Sequence, residues 1–129
     1  MIQTLLWVAA GGALGAVARF LLSNLVVTWT ANSFPWNTLT VNVLGSFALG
    51  AVFAGLSDLH WFHTIARPFF IIGLLGAFTT FSAFSLESLT LVEDGRAWLA
   101  VAYALSSVFG CVAAAWLGVR LVGSTTLGL

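Results

Sequence analysis

The sequence contains very little charge and no Lys at all. Only 6% of its 129 residues are charged, whereas 60% are hydrophobic. An ordinary soluble domain is about 25% charged and about 45–50% apolar, so this chain has too few charged side chains to cover a soluble fold. A lipid bilayer accepts an apolar exterior, and a spanning helix needs only about 20 mostly apolar residues. The composition therefore predicts an integral membrane protein, in agreement with the mean hydropathy of +1.08.

The few charges also lack a dominant sign. Arg and acidic residues number four each, so the net charge is zero, and we expect no polybasic surface for nucleic acid or for anionic lipid headgroups. The single Cys111 excludes a disulfide within the chain and carries no information about the redox compartment. The first residues lack the basic segment of a secretory signal. We therefore expect the first apolar run to stay in the mature protein.

Four apolar runs divide the chain, at residues 5–27, 39–56, 69–92 and 98–122. Each run is long enough to cross a bilayer as a helix, and the short connectors predict antiparallel packing of neighbouring helices. Trp residues, which suit the headgroup level, lie near the connectors: Trp29, Trp36, Trp61 and Trp98. The predicted fold class is thus an all-α integral membrane protein, with residues 1–129 forming one domain of four transmembrane helices.

The Arg residues give almost no preference for one orientation in the membrane. With the amino terminus inside, Arg67 and Arg120 lie on the cytoplasmic side, whereas Arg96 and the deeper Arg19 lie on the other side. One explanation is that the chain inserts both ways and forms an antiparallel pair. The other is that one orientation is fixed by features that a count of basic residues does not capture.

The third apolar run is predicted to contain a broken helix. Two helix-weakening glycines precede four hydroxyl residues: Gly73, Gly76, Thr79, Thr80, Ser82 and Ser85. Single hydroxyls bond back to the preceding turn and leave a helix continuous or bent, but a cluster offers the backbone an alternative to helical bonding. We expect the break near Thr79, Thr80, Phe81 and Ser82. Because protein, water or a bound ion must satisfy backbone groups freed at membrane depth, a break here predicts an ion or substrate site.

Three further side chains have two interpretations each. Asn42 lies within the second span, where its amide either joins helices, the commoner use, or donates to a passing anion. Phe81 and Phe84 are three residues apart and would share one helix face. Such a pair usually serves packing, although the positive edges of the rings can also attract an anion.

The remaining polar residues in the spans are few. Tyr103, Ser107 and Cys111 recur every four residues and form a weakly polar stripe, which suits either a narrow path or hydrogen bonds between helices. Arg19 is an intramembrane cation, but it lies near enough to a helix end to reach the interface, so we assign it to a vestibule or to structure. Glu87 follows the break, and we expect it to complement the amino-terminal dipole of the second half-helix.

The sequence offers little support for catalysis or for a metal site built from side chains. His60 and His63 lie in a connector with only Asp58 nearby, which favours ordinary placement at the interface over metal binding. No pattern resembles a nucleophile with its base and orienting group, so we predict that the protein is not an enzyme.

Three segments resemble the CrcB or Fluc family of fluoride channels. They are Gly11-Gly-Ala-Leu-Gly15 followed by Arg19, Thr38-Leu-Thr-Val-Asn42-Val-Leu-Gly45, and Gly76-Ala-Phe-Thr-Thr-Phe-Ser-Ala-Phe-Ser85 followed by Glu87. The string Thr-Thr-Phe-Ser-x-Phe-Ser is specific, whereas the glycine motif alone is not. With its length and four spans, the chain resembles the family over essentially its whole extent.

The resemblance implies an antiparallel, dual-topology homodimer with two fluoride pores at the subunit interface. It also implies a central structural sodium ion, bound by the backbone carbonyls of Gly76 and Thr79 from both subunits. The pore residues it implies are Asn42, Thr80, Phe81, Ser82, Phe84, Tyr103, Ser107 and Cys111. The chain departs from the family pattern at Cys111 and Ala115, where hydroxyl residues are common, and at Ala77, where a second Gly is common.

The expected function is passive export of cytoplasmic fluoride across a microbial plasma membrane. One alternative is an antiporter of the small multidrug type, but that chemistry needs a carboxylate within the membrane, typically in the first helix, and residues 5–27 contain no Asp or Glu. The other alternative is a structural membrane subunit, which would carry no ion flux of its own.

Overall fold

A computed structural model describes residues 1–30 and 33–126 of the chain. All regular secondary structure in these ranges is helical. The helices are α1 (Ile2–Trp29), α2 (Trp36–Leu56), a π-helix (Phe62–Leu75), the short α3 (Gly76–Phe78), α4 (Phe81–Glu93) and α5 (Ala97–Thr126). Because the π-helix, α3 and α4 follow one another within one apolar segment, they form a single interrupted span. The predicted all-α fold with four spans is confirmed.

The third span begins earlier than the hydropathy predicted. His63 and Arg67, which we expected in a connector, lie inside the π-helix, which starts at Phe62. Its turns are wide, since the Ala66 N–H reaches back five residues to the carbonyl of Trp61, at 3.3 Å. Polar side chains lower the hydropathy of this segment without preventing backbone hydrogen bonds. The apolar run is therefore shorter than the helix.

The break in the third span is confirmed and is narrower than predicted. Only Thr79 and Thr80 have extended backbones, with φ/ψ of −78°/157° and −150°/118°. Phe81 and Ser82 already belong to the first turn of α4. The helix resumes there because the Thr80 hydroxyl accepts a hydrogen bond from the Ala83 N–H, at 3.2 Å, and so caps α4.

Helix α1 contacts the π-helix backbone to backbone through glycines. A Cβ added to Gly11 or Gly15 would overlap the carbonyl oxygens of Phe69 and Leu74, respectively. A Cβ on Gly73 would lie 2.7 Å from the carbonyl oxygen of Val8. Close backbone approach is how helices pack in lipid, where apolar burial provides little drive. This contact positions the segment that leads into the break.

Helices α2 and α5 form the other close crossing. A Cβ on Gly50 would overlap the Ala115 carbonyl oxygen, and one on Gly118 would overlap the Phe47 carbonyl oxygen. Gly110 lies in a looser contact, since a Cβ there would meet only the Val43 side chain, at 3.4 Å. The crossing fixes α5 beside α2, and Asn42 of α2 lies near Ser107 and Cys111 of α5 beside the break.

Candidate functional site

The side chain of Asn42 on α2 binds the extended backbone of the break. Its Nδ2 donates to the Thr80 carbonyl at 3.0 Å, and its Oδ1 accepts from the Thr80 N–H at 2.8 Å. An amide that both donates and accepts matches a peptide unit, so this one side chain satisfies both backbone groups of Thr80. The sequence left interhelical bonding and anion donation open for Asn42. The structure shows the interhelical bonding. The second N–H of the Asn42 amide takes no part in these two hydrogen bonds.

The break deprives several backbone carbonyls of their helical donors, among them those of Gly76 and Thr79. In a continuous α-helix the Gly76 carbonyl would accept from the Thr80 N–H, which instead donates to Asn42. The Thr79 carbonyl would accept from the Ala83 N–H, which instead donates to the Thr80 hydroxyl. Gly76 and Thr79 are the residues whose carbonyls the family resemblance assigns to sodium.

These carbonyl oxygens are the kind of ligand that a hard cation prefers. Carbonyls at membrane depth also need a partner, because lipid offers none. Within the described ranges no group of three His, Cys, Asp or Glu side chains could hold a metal ion. The ligands present in these ranges are backbone carbonyl oxygens, which fit an alkali cation. They do not fit a transition metal bound by side chains.

A groove of about 410 Å³ runs beside the break, between α2, α4 and α5. Six of the predicted pore residues line it: Asn42, Thr80, Phe81, Phe84, Ser107 and Cys111. Two others do not: Ser82 is exposed and shares a 3.2 Å hydrogen bond with the Thr80 hydroxyl, and Tyr103 is fully buried. Ala115 also lines the groove, one helical turn beyond Cys111, so the stripe on α5 lacks a hydroxyl at that point.

The two Phe residues share one face of α4, as their spacing predicted. Their ring centroids are 5.2 Å apart, with an interplanar angle of 40°. Phe84 also packs on Tyr103, at 4.9 Å, whereas Phe81 is 77% exposed. Phe84 is therefore held by a contact within the chain, whereas most of the Phe81 ring is exposed at one side of the groove.

Ser107 is the buried hydroxyl of the groove. Its side chain is only 9% exposed, and its Oγ has no hydrogen-bond partner in the described residues. Buried polar groups in proteins are bonded in the large majority of cases, either to protein or to ordered water. Ser107 lines the groove, but its hydroxyl oxygen is itself buried and has almost no surface open to that space.

Glu87 accepts two hydrogen bonds from buried hydroxyls. Thr38 Oγ1 donates to Glu87 Oε1, and Tyr103 Oη donates to Glu87 Oε2, each at 2.7 Å. The predicted dipole role of Glu87 is wrong, because this residue lies two turns into α4 and Thr80 caps the helix. Tyr103 does not line the groove, because the hydrogen bond to Glu87 and packing against Phe84 hold its ring in the core, and its role in the pore stays a prediction.

A second cavity, of about 310 Å³, reaches Glu87 from the end of the bundle. Arg96 also lines it; this residue donates to the Ser33 carbonyl at 3.0 Å and pairs with Asp94 at 3.0 Å. Sequence reasoning missed this cavity and the partnership between Thr38 and Glu87. One signal in the sequence could have indicated the cavity. The connector between α1 and α2 and the connector between α4 and α5 are both short and polar, and both lie at this end of the bundle.

Arg19 lies away from both cavities. It is half-buried on α1 and forms no ion pair with another residue of the described ranges. The structure therefore does not bring Arg19 together with the residues around the break, and its assignment to a vestibule or to structure stays a prediction.

Comparison with known proteins identifies relatives over most of the chain. The sequence model of a family described as CrcB-like protein, Camphor Resistance (CrcB), matches residues 6–119. A Magnetococcus marinus protein named fluoride-specific ion channel FluC is 52% identical over 87% of this chain and 91% of its own length. Proteins with the same name from Rhodospirillum rubrum and Nitrobacter winogradskyi are 45% and 44% identical, over 90% and 92% of this chain and 92% and 94% of their own lengths. With its four apolar helices, this multi-pass membrane protein belongs to the CrcB family.

Proposed function

We propose that the protein is a fluoride channel that lets cytoplasmic fluoride leave the cell down its gradient. The observation that carries the proposal is the groove beside the break, where the polar groups of Asn42, Thr80 and Ser107 converge with two Phe rings. The names of the relatives support fluoride as the ion. A channel role agrees with the prediction that the chain is not an enzyme, and neither the antiporter nor the structural subunit is favoured by any feature of the site.

The chemistry of the groove suits a small, strongly hydrated anion. Conduction requires that donors on the protein replace the water an ion loses, as channel filters do for their own ions. The second Nδ2–H of Asn42 would supply such a donor, the Ser107 hydroxyl would supply another once its side chain turned towards the groove, and the positive edges of Phe81 and Phe84 would add weaker ones. Most of the remaining groove wall is apolar, which leaves these groups as the favourable contacts for the anion.

A second subunit would close the groove into a path. Phe81, on the open side, is 77% exposed, and the neighbouring Ser82 and Ser85 are also exposed, with hydrogen bonds to Thr80 and to the Phe81 carbonyl of the same chain. We infer an antiparallel homodimer in which each subunit contributes one groove, giving two pores. The even distribution of Arg supports insertion in both orientations.

In such a dimer the broken helices would meet at the centre. The carbonyls of Gly76 and Thr79 from both subunits would then surround one sodium ion, and this charge would balance the dipoles of backbone groups that have lost their helical partners. The diverted hydrogen bonds of Thr80 and Ala83 support this assignment. The ion would act structurally, by holding the two grooves in register.

Purified protein in liposomes should release fluoride and retain chloride. Vesicles loaded with each anion in turn, with a potassium ionophore to balance charge, would be followed with an ion-selective electrode. We expect fast fluoride efflux. Chloride efflux should be no greater than that of loaded vesicles without protein. Equal efflux of the two anions, or none of either, would contradict the proposed function.

Removing sodium should reduce fluoride efflux, while the protein itself stays folded. Protein exchanged exhaustively into N-methylglucamine salts should conduct less fluoride than the same protein in sodium, and adding sodium back should restore the rate. In sodium, light scattering in detergent should give a protein mass of twice the 13.6 kDa of one chain. Unchanged efflux would contradict the sodium site, and the mass of a single chain would contradict the dimer.

A further inference from the structure

The wide winding of the π-helix continues as far as Gly76. The Gly76 N–H donates to the Ile71 carbonyl, five residues back. The Thr79 N–H then donates to the Leu75 carbonyl, only four residues back, at 3.0 Å. The five-residue repeat of a π-helix therefore changes to the four-residue repeat of an α-helix directly at the break.

This change of repeat leaves one backbone carbonyl in excess. Between the two bonds lie three carbonyls, those of residues 72–74, but only two N–H groups, those of residues 77 and 78. A carbonyl without an N–H donor needs another partner at membrane depth. The Leu74 carbonyl oxygen is directed at Gly15 of α1, where a Cβ would overlap it, and the Cα–H of a glycine is a weak donor. The contact with α1 therefore offers a partner to a carbonyl of this segment.

Helix α1 fits the third span in its π-helical register. The carbonyl oxygens of Phe69 and Leu74, five residues apart, both meet glycines of α1. These glycines, Gly11 and Gly15, are four residues apart. Residues four apart share a face of an α-helix, whereas residues five apart share a face of a π-helix. Pro68 is buried within the π-helix and favours the same register, because in an α-helix its ring would clash with the carbonyl four residues earlier.

We propose that the π-helical register of the third span, held by the contact with α1, is a positioning device that sets the rotation at which the break faces α2. The inference rests on the proposed function, since the break carries the proposed cation site. Returning one wide turn to α-helical winding would shift the register by one residue, which corresponds to about 100° of rotation. Such a rotation would carry the Thr80 peptide unit away from the Asn42 amide, and it would redirect the carbonyls of Gly76 and Thr79.

The test compares Gly11→Ala with the matched control Gly12→Ala. A Cβ at Gly11 would overlap the Phe69 carbonyl oxygen, whereas a Cβ at Gly12 would have no atom within 4 Å. The first readout is the backbone amide signal of Thr80 in the NMR spectrum of protein with isotope-labelled threonine, assigned by its absence from the Thr80→Ser variant. This amide donates to Asn42 Oδ1 at 2.8 Å, so its chemical shift depends on that bond. We expect the signal to move in Gly11→Ala and to keep its native position in Gly12→Ala.

The second readout is the sodium concentration that gives half of the maximal fluoride efflux. Loss of a group that orients a metal ligand typically lowers metal affinity by about 10–100-fold. We therefore expect the half-maximal sodium concentration to rise about tenfold or more in Gly11→Ala and to stay native in Gly12→Ala. A contact that only stabilised the fold would lower the midpoint of thermal unfolding and leave both readouts unchanged in the folded protein.

The Pro68→Ala variant serves as the test if Gly11→Ala does not fold. It adds no atom to the contact with α1 and removes a barrier to α-helical winding, so both readouts should change in the same direction. A native Thr80 signal together with native sodium dependence, in the folded Gly11→Ala protein or in Pro68→Ala in its place, would overturn the inference and leave the channel function intact. Absence of fluoride efflux from the native protein would instead refute the proposed function, and efflux independent of sodium would refute the proposed sodium site. In both cases the Thr80 signal would still decide whether the register positions the break.

Discussion

Replacing Asn42 with Ala should lower fluoride efflux from liposomes by roughly tenfold or more. The change leaves the N–H and the carbonyl of Thr80 without the partner that both have in the native protein. A buried backbone group without a partner costs about 1–3 kcal/mol, and each 1.4 kcal/mol corresponds to a factor of about ten. The cheapest relief is for the Thr80 N–H to return to the Gly76 carbonyl, which would close the break and remove an oxygen from the proposed cation site.

The matched control for this substitution is Asn24→Ala. Asn24 is an exposed amide on α1 and lies outside both cavities, so the same chemical change should leave efflux near the native rate. Fluoride efflux is measured with an electrode on vesicles of equal protein content. Both variants should also have the native protein mass in detergent. Native efflux from the Asn42→Ala protein would show that the amide is not needed to hold the break.

Replacing Gly15 with Ala should destabilise the folded protein strongly. The added methyl group would overlap the carbonyl oxygen of Leu74 and lie 2.9 Å from its carbonyl carbon. These are backbone atoms, which cannot rotate away as a flexible side chain can, so α1 must separate from the π-helix. Overpacking of this kind typically lowers the free energy of unfolding by about 1–3 kcal/mol. The expected readout is a lower midpoint of thermal unfolding in detergent.

The neighbouring Gly12 offers the same substitution without the contact. A Cβ on Gly12 would have no atom within 4 Å, and Ala favours a helix over Gly by up to about 1 kcal/mol. Gly12→Ala should therefore match or exceed the native midpoint. Equal midpoints for the two variants would mean that α1 and the π-helix do not pack as closely as the structure describes.

The sequence predicts the spans and the break because both follow from local chemistry. Apolar length specifies the helices, and clustered hydroxyls after Gly76 indicate where the helix stops. The family prediction, based on the motifs around Asn42 and the break, is confirmed by the comparisons. The sodium ion and the antiparallel homodimer stay predictions, as do the roles of the individual groove residues in conduction.

Contacts between distant residues could not be predicted in the same way. The bond between Thr38 and Glu87 joins residues 49 positions apart, and its geometry depends on how α2 and α4 are rotated about their axes. The carboxylate after the break resembled a helix-dipole residue because only its neighbours in sequence were visible. Tyr103 resembled a wall residue for the same reason: periodicity shows which residues share a face but not what that face meets.

The pairing of Asn42 with a peptide unit also limits how the two positions can change during evolution. Asn42 binds the main chain of residue 80, so its bonds do not depend on which side chain occurs there. As far as these two bonds and the cap of α4 are concerned, position 80 accepts any residue that can cap a helix, such as Ser, Asp or Asn. Position 42 has no such freedom, since its side chain must both donate and accept a hydrogen bond and must have the length of Asn to reach the main chain of residue 80. For holding the break, fewer residue types can therefore replace Asn42 than can replace Thr80.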